Sequence, residues 1–520
     1  MDAREVAKHR SAASCWIVLH GKVYDVTDYL PEHPGGKSVL LRWAGKGYTD
    51  QASRVPGDEP RANRIGQQKD ATAEYSKVHS PSTVEETLTK EKQLGPLDSA
   101  TVECLDNGVN SASGSGAGVA RNDAKQDAIP HIDLCVRLDD FVEPARRTIS
   151  EQAFTYISSA ADTLQSYHDN AEQWSKVSFI PRVLRDVSRV DLSTCMFGQR
   201  CAMPFFIAAT ALVGLTHPDG EAGLARVAAA RGVHYSPSTY TSVPHAKIAK
   251  SHGEAAATGA GSGSGSASGP ADSRLFSQLY VHSRKEKTLS LIQEAKRLGY
   301  RALMITVDTP CVGNRDEDRR LKIRDELELG GPLPESDADG EPRVVPGRNS
   351  GGLSQSLNWE DLKWIREAWG GPIALKGIQS AEDAKLAMEA GVEAVYLSNH
   401  GGRQLHSAPP CLATLLQIRR QYPEVLRRCE IFVDGGVARG GDILKAICLG
   451  AKAVGIGRPL LYAMGAYGPK GVHKAIDILK YELETTMALL GATNCKTVSE
   501  LRAATERSRG KKSMSPITQE

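Results

Sequence analysis

The sequence predicts an α/β chain whose larger part is a (β/α)8 barrel, preceded by a small α+β domain. Three observations carry this. Eight short apolar runs recur between about 200 and 465, most of them followed by a helix-like segment. Polar side chains suited to chemistry fall at the C-terminal ends of those runs, where barrels of this kind carry their sites. The first hundred residues differ: a β-like run there leads into a His-Pro-Gly-Gly turn.

The apolar runs are 204–210, 233–236, 276–281, 302–307, 372–376, 394–397, 431–433 and 453–456, with helical stretches at 290–298, 381–390 and 441–448. The run at 233–236 is the weakest strand of the eight. A doubly wound open sheet is the rival arrangement for the same alternation. No Gly-x-Gly-x-x-Gly follows a strand and opens a helix, which argues against a Rossmann dinucleotide site. The domain reading is 1–98 for the small domain, 99–129 for a flexible linker, 130–500 for the barrel and 501–520 for a tail. The linker contains the Gly/Ser-rich stretch 107–127. Stretches 254–272 and 316–356 are read as loops inserted into the barrel.

Composition bounds the rest. With 520 residues, 40% apolar and 24% charged, this is a soluble globular chain of two or three domains. The 64 basic and 62 acidic residues leave a net charge of +2, so no strong field favours nucleic acid or an anionic membrane. No apolar run approaches the ~20 residues of a membrane span. The ten cysteines (15, 104, 135, 195, 201, 311, 411, 429, 448 and 495) form no Cys-x-x-Cys, so neither a zinc site nor a disulfide framework is expected. Reduced thiols of an intracellular compartment are. Met1-Asp2-Ala3-Arg4-Glu5-Val6 carries no signal-peptide core.

The most informative stretch is Ser398-Asn399-His400-Gly401-Gly402-Arg403-Gln404-Leu405, directly after the apolar run 394–397. His400 can accept a proton near neutral pH, and Arg403 can grip a carboxylate through two parallel hydrogen bonds. That pairing suits chemistry on a small carboxylic acid. Asp308, after the fourth run, can orient the imidazole and stabilise its charged form. Arg315 offers a second cation, and Tyr156 and Tyr280 offer phenols for the substrate carboxylate or hydroxyl. Lys376 ends an apolar strand, a costly place for an ammonium unless it meets an anion. Asp434-Gly435-Gly436 after the seventh run, and Gly457-Arg458 after the eighth, mark the usual phosphate site of such barrels.

With these motifs, residues from about 130 to 500 resemble the FMN-dependent α-hydroxy acid dehydrogenase/oxidase family. The resemblance also rests on Thr306-Val307-Asp308-Thr309-Pro310, Gln278-Leu279-Tyr280, Leu375-Lys376-Gly377 and Gly457-Arg458-Pro459. It implies FMN across the barrel mouth, with Ala211, Ser238, Gln278, Thr306 and Lys376 contacting it, and Lys376 stabilising negative charge on the reduced ring. His400 would remove a substrate proton. Two positions stand out. Ala438 replaces an arginine that normally meets the FMN phosphate, so weaker FMN binding is expected, with Arg439 as a substitute. Tyr240 stands where relatives vary with substrate.

Lys22-Val23-Tyr24-Asp25-Val26-Thr27-Asp28-Tyr29-Leu30, followed by His33-Pro34-Gly35-Gly36, resembles the cytochrome b5 heme-binding fold. The resemblance implies heme b with His33 and His79 as axial iron ligands, a closed electron-transfer centre. Relatives space these ligands more tightly. Removing 47–69, which is polar and holds two prolines, leaves Ala44-Gly45-Lys46-Asp70-Ala71-Thr72, an uninterrupted family reading. The 23 residues are either a surface loop or a retained intron in a gene model.

The expected function is a flavocytochrome oxidising an L-2-hydroxy acid, foremost L-lactate, to the 2-oxo acid, with electrons passing from FMN to heme to cytochrome c. Two rivals remain. One is an oxygen-using FMN oxidase with a non-functional heme domain. The other is a non-catalytic heme-binding electron carrier. Analogy with relatives implies a homotetramer. The expected location is the cytoplasm, with the mitochondrial intermembrane space as the alternative.

Overall fold

The computed structural model describes residues 1–31, 33, 37–45, 71, 72, 75, 79, 83–98, 129–258, 273–328, 352–500 and 503–505. The segments 47–69 and 107–127 lie outside the described residues. Two compact units result, one within Met1–Ala128 with Arg320–Arg343, the other within Ile129–Arg319 and Val344–Glu520.

The first unit contains an antiparallel four-stranded sheet of Arg10–Ser11, Ser14–Leu19, Lys22–Asp25 and Gln93–Pro96, in that order. Alternation along Ser14–Leu19 sends Cys15, Ile17 and Leu19 to one face, where they pack with Tyr24, Val26 and Leu30. Val18 joins Val6 and Val23 on the other face.

In the second unit, eight parallel strands alternate with eight helices. The strands are β1 (Phe205–Ile207), β2 (His234–Tyr235), β3 (Ser277–Leu279), β4 (Leu303–Thr306), β5 (Ile373–Ile378), β6 (Ala394–Leu397), β7 (Glu430–Val433) and β8 (Ala453–Ile456). The helices are α1 (Gly220–Arg231), α2 (His245–Thr258), α3 (Lys285–Arg297), α4 (Asp361–Trp369), α5 (Ala381–Glu389), α6 (Cys411–Gln421), α7 (Gly440–Cys448) and α8 (Arg458–Leu490), the last broken by a kink at Gly468. Hydrogen bonding runs from β3 through β8 to β1 and β2. The bridge between Tyr235 and Leu275 then returns to the start of β3, where Phe276 N donates to Tyr235 O at 2.9 Å. This circular order is that of a barrel, and the open doubly wound sheet is excluded. The least regular predicted strand is also the shortest barrel strand to form, at two residues.

Each of β1, β4, β6 and β8 is buried at every position, as expected where helices cover the outside and side chains fill the inside. Phe206, Tyr396 and Phe432 meet edge to face inside the barrel, with ring centroids 5.6–6.1 Å apart.

Three stretches read as loops or tail take regular structure in part. A helix occupies Asp316–Glu328, with Asp316, Glu317 and Asp318 in its first turn, where carboxylates complement the helix dipole. Similarly, α2 continues to Thr258. Ala503–Thr505 pairs antiparallel with Val177–Phe179. Among the described residues, no helix is long and apolar enough to cross a membrane, and the nine described cysteines are free thiols.

Candidate active site

The C-terminal strand ends converge on a pocket of about 280 Å³. From β6 the chain enters three consecutive left-handed residues, His400 (φ 58°), Gly401 (φ 64°) and Gly402 (φ 79°). A non-glycine residue rarely adopts that conformation, and its cost is met here by fixed partners. His400 N donates to Ser398 Oγ (3.0 Å), and Gly402 N donates to Asn399 Oδ1 (3.0 Å). Asn399 exchanges two 2.8 Å side-chain bonds with Asn170. Gly402 is required sterically: a Cβ there would lie 2.6 Å from Tyr167 N.

The coil turns the His400 ring toward Asp308. Nδ1 lies 3.0 and 3.2 Å from the two carboxylate oxygens, and Nε2 lies 3.4 Å from Tyr280 Oη. A carboxylate accepts only, so the proton sits on Nδ1 and the Nε2 lone pair is left on the Tyr280 side. Burial would raise the Asp308 carboxyl, but the fields of His400 and Lys376 outweigh it and hold it at about 2. For His400, burial and then the Lys376 ammonium lower the pKa, while Asp308 opposes them. The result at neutral pH is an uncharged imidazole beside a charged carboxylate. Burial, then Asp308, raises the Tyr280 phenol, which stays protonated.

Arg403 and Arg315 lie against the same Tyr156 ring, at 5.2 and 5.5 Å from its centroid. Tyr156 comes from the helix Glu151–Ser158. Arg403 Nη1 donates to Ser159 O at 2.7 Å. Burial, then Arg315 and Arg458, push the Arg403 pKa down to about 9. Converging guanidinium groups of this kind form a hole for an anion.

All ten residues expected at the cofactor line the pocket. Lys376, buried on β5, donates to Ser398 Oγ (3.2 Å), which in turn donates to Asp434 Oδ2 (2.9 Å). Burial raises the Asp434 carboxyl while Lys376 opposes it. Gln278 accepts from Ser238 Oγ and Thr239 N (3.2 and 2.9 Å) and donates to Thr306 Oγ1 (2.9 Å). Ala211, Gly435, Gly436, Gly457 and Arg458 complete the wall. Gly435 and Gly436 are packed against Asn170, and a Cβ on Gly436 would strike its main chain. Gly457 opens α8 with ordinary clearance, and a helix N-terminus beside Arg458 suits a phosphate.

The pocket fits a polar, anionic flavin. The buried Thr210 hydroxyl in its wall has no partner among the described residues, and its guanidinium charges exceed the acids facing them. Arg439 does not substitute for the arginine missing at 438. Its Nε pairs with Glu482 at 2.9 Å, because Glu482 also caps α7 by accepting from Gly440 N.

Residues 145–505 match the FMN-dependent dehydrogenase family. The chain belongs to that family. Residues 2–65 match the cytochrome b5-like heme/steroid binding domain, a match that ends within the segment 47–69. Two relatives are both called L-lactate dehydrogenase (cytochrome). That of Wickerhamomyces anomalus is 35% identical over 95% of this chain and 78% of its own length; that of Saccharomyces cerevisiae is 36% identical over 96% and 78%. A solved flavocytochrome b2 variant is 34% identical, with a TM-score of 0.60, over 71% of this chain and 86% of that one. The cofactors of this FMN-dependent dehydrogenase are FMN and heme.

In the first unit the His33 and His79 rings lie 6.0 Å apart between centroids, at 58°. Two rings at that separation could both reach one metal with bonds of about 2 Å. Burial, then His33, lowers His79 to about 4, so its ring is neutral, the form that ligates metal. The pair fits a bis-histidine heme.

Sequence reasoning gave no role to Ser398, Asn170 or Gln404. The only signal for Ser398 and Gln404 was their place in the His-Gly-Gly-Arg stretch; Asn170, on the helix Gln165–Glu172, had none.

Proposed function

We propose that this chain is a flavocytochrome that oxidises an L-2-hydroxy acid, L-lactate foremost, to the 2-oxo acid and delivers the electrons to cytochrome c. The neutral His400, held by Asp308 and facing Arg403 and Arg315 across one pocket, is the observation that carries this reading. Bound FMN supplies the electron-pair acceptor, and bound heme between His33 and His79 supplies a one-electron relay.

Arg403 and Arg315, both lying against the Tyr156 ring, bind the substrate carboxylate. Tyr280 Oη orients the substrate hydroxyl beside His400 Nε2. His400 takes up a substrate proton at Nε2, and Asp308 stabilises the imidazolium that forms. Lys376, tied to Ser398, lines the pocket and would stabilise negative charge on a flavin bound there. By family analogy the protein is a homotetramer. We place it in the cytoplasm, where its free cysteines persist. Light scattering and cell fractionation check these two statements.

The test is an anaerobic absorption spectrum of the purified protein before and after adding L-lactate. Bleaching of the flavin band with growth of reduced-heme bands is expected. An unchanged spectrum overturns the reading. Stoichiometric peroxide in air with a silent heme replaces it by an oxidase.

A further inference from the structure

The loop after β4 carries both Asp308 and Arg315, yet it has no regular structure between Thr306 and Asp316. One side chain from the loop after β6 makes three hydrogen bonds to its main chain. Gln404 Nε2 donates to Asp308 O and to Cys311 O, each at 2.9 Å. Gln404 Oε1 accepts from Gly313 N at 3.0 Å. Contact is so close that a Cβ on Gly313 would strike the main chain of Arg403 and Gln404. On the other side, Asp162 N donates to Asn314 O at 2.9 Å, and Ala161 N donates to Gly402 O at 2.8 Å. Asn314 Nδ2 also reaches Asp162 Oδ1.

Gln404 borders the pocket, but both of its amide protons are spent on carbonyls and its oxygen holds an amide proton. Such a side chain has no donor left for a ligand. We propose that Gln404 is a positioning residue: it clamps the β4 loop onto the β6 loop and so fixes the separation of Arg315 from Arg403 and of Asp308 from His400. Because two guanidinium groups must meet one carboxylate, a shift of that loop weakens anion binding more than it changes the proton transfer, since Asp308 lies two residues beyond β4 and Arg315 nine. The inference rests on the hydroxy-acid reading only for its substrate; the clamp itself concerns any small carboxylate.

Two variants test it on the FMN-loaded full-length protein. Gln404→Met keeps the volume and removes all three bonds. Gln404→Glu keeps the bond to Gly313 N but sets a carboxylate against two carbonyls. Oxalate titration followed by the flavin absorbance change reads anion binding without turnover, and L-lactate kinetics separate KM from kcat. In whichever variant folds with full FMN, oxalate dissociation and the L-lactate KM both rise about tenfold or more, with a smaller change in kcat. Values within about twofold of the parent protein overturn the clamp. If the parent protein does not oxidise L-lactate at all, the function reading fails, while the oxalate titration still decides the role of Gln404.

Discussion

The two ends of the barrel make an instructive pair. The end opposite the candidate site holds a second hollow, lined by residues that include Pro372, Glu393, Glu430 and Lys452. Its acids are answered by fixed protein partners. Glu393 accepts from Ile373 N (2.8 Å) and pairs with Arg366 (3.0 Å), and Glu430 accepts from Phe197 N (2.8 Å). At the mouth, by contrast, Arg403 is depressed by burial and by two other guanidinium groups, and the Thr210 hydroxyl is unpartnered among the described residues. The site is marked by the gathering of guanidinium charge that the protein leaves uncompensated, because its desolvation is tolerable only if an anion completes it.

Five experiments break or sharpen this contrast. At the mouth, His400→Gln removes the proton acceptor while keeping the size of the group. It should lower kcat/KM for L-lactate by about 10³- to 10⁴-fold with FMN retained, and activity within tenfold of the parent would remove His400 from the base role. Arg403→Lys keeps the charge but loses the fork geometry, so kcat/KM should fall by about 10²-fold, chiefly through KM. The pH profile should follow the neutral form of His400. Its pKa is held below the ordinary 6.5, so kcat/KM is flat above that pH and falls about tenfold per unit once the ring protonates at lower pH. An acid limb centred above 6.5 would contradict the burial-dominated reading. Ala438→Arg restores the guanidinium the family carries near the FMN phosphate and should tighten FMN binding about tenfold, read by flavin fluorescence. Unchanged affinity would show that Arg458 and the start of α8 suffice. At the opposite end, Glu393→Ala should cost about 1 kcal/mol of stability, seen as a lower Tm, with kcat/KM unchanged.

Much of the fold was legible because burial on both faces writes each barrel strand as an apolar run. Ala394-Val395-Tyr396-Leu397 is the clearest, since the predicted and observed strands coincide. The run at 233–236 was hard to read because only His234 and Tyr235 form the strand, and His234 is a buried histidine held by Arg274 N and Gln199 O. The helix Asp316–Glu328 was missed because it is almost wholly charged and shows no apolar stripe. Among site residues, His400, Arg403 and Lys376 announced themselves as ionisable groups beside glycines or at strand ends. Gln404 and Asn170 did not, since an amide acquires a role only from what it touches. Arg439 went the other way. Its sequence position suggested the phosphate, but Glu482, 43 positions later in the chain, holds it.

The sequence by itself determined the strand–helix alternation and the placing of reactive side chains at strand ends, because periodicity and residue chemistry are local properties; the histidine pair of the N-terminal unit came only with the family resemblance. Tertiary structure decided the rest: the closing of the barrel at Tyr235 and Leu275, the tautomer of His400, the gathering of Arg315, Arg403 and Arg458, and the clamp by Gln404. Those depend on distances between residues up to hundreds of positions apart, and on the loss of water around them, which no stretch of sequence records.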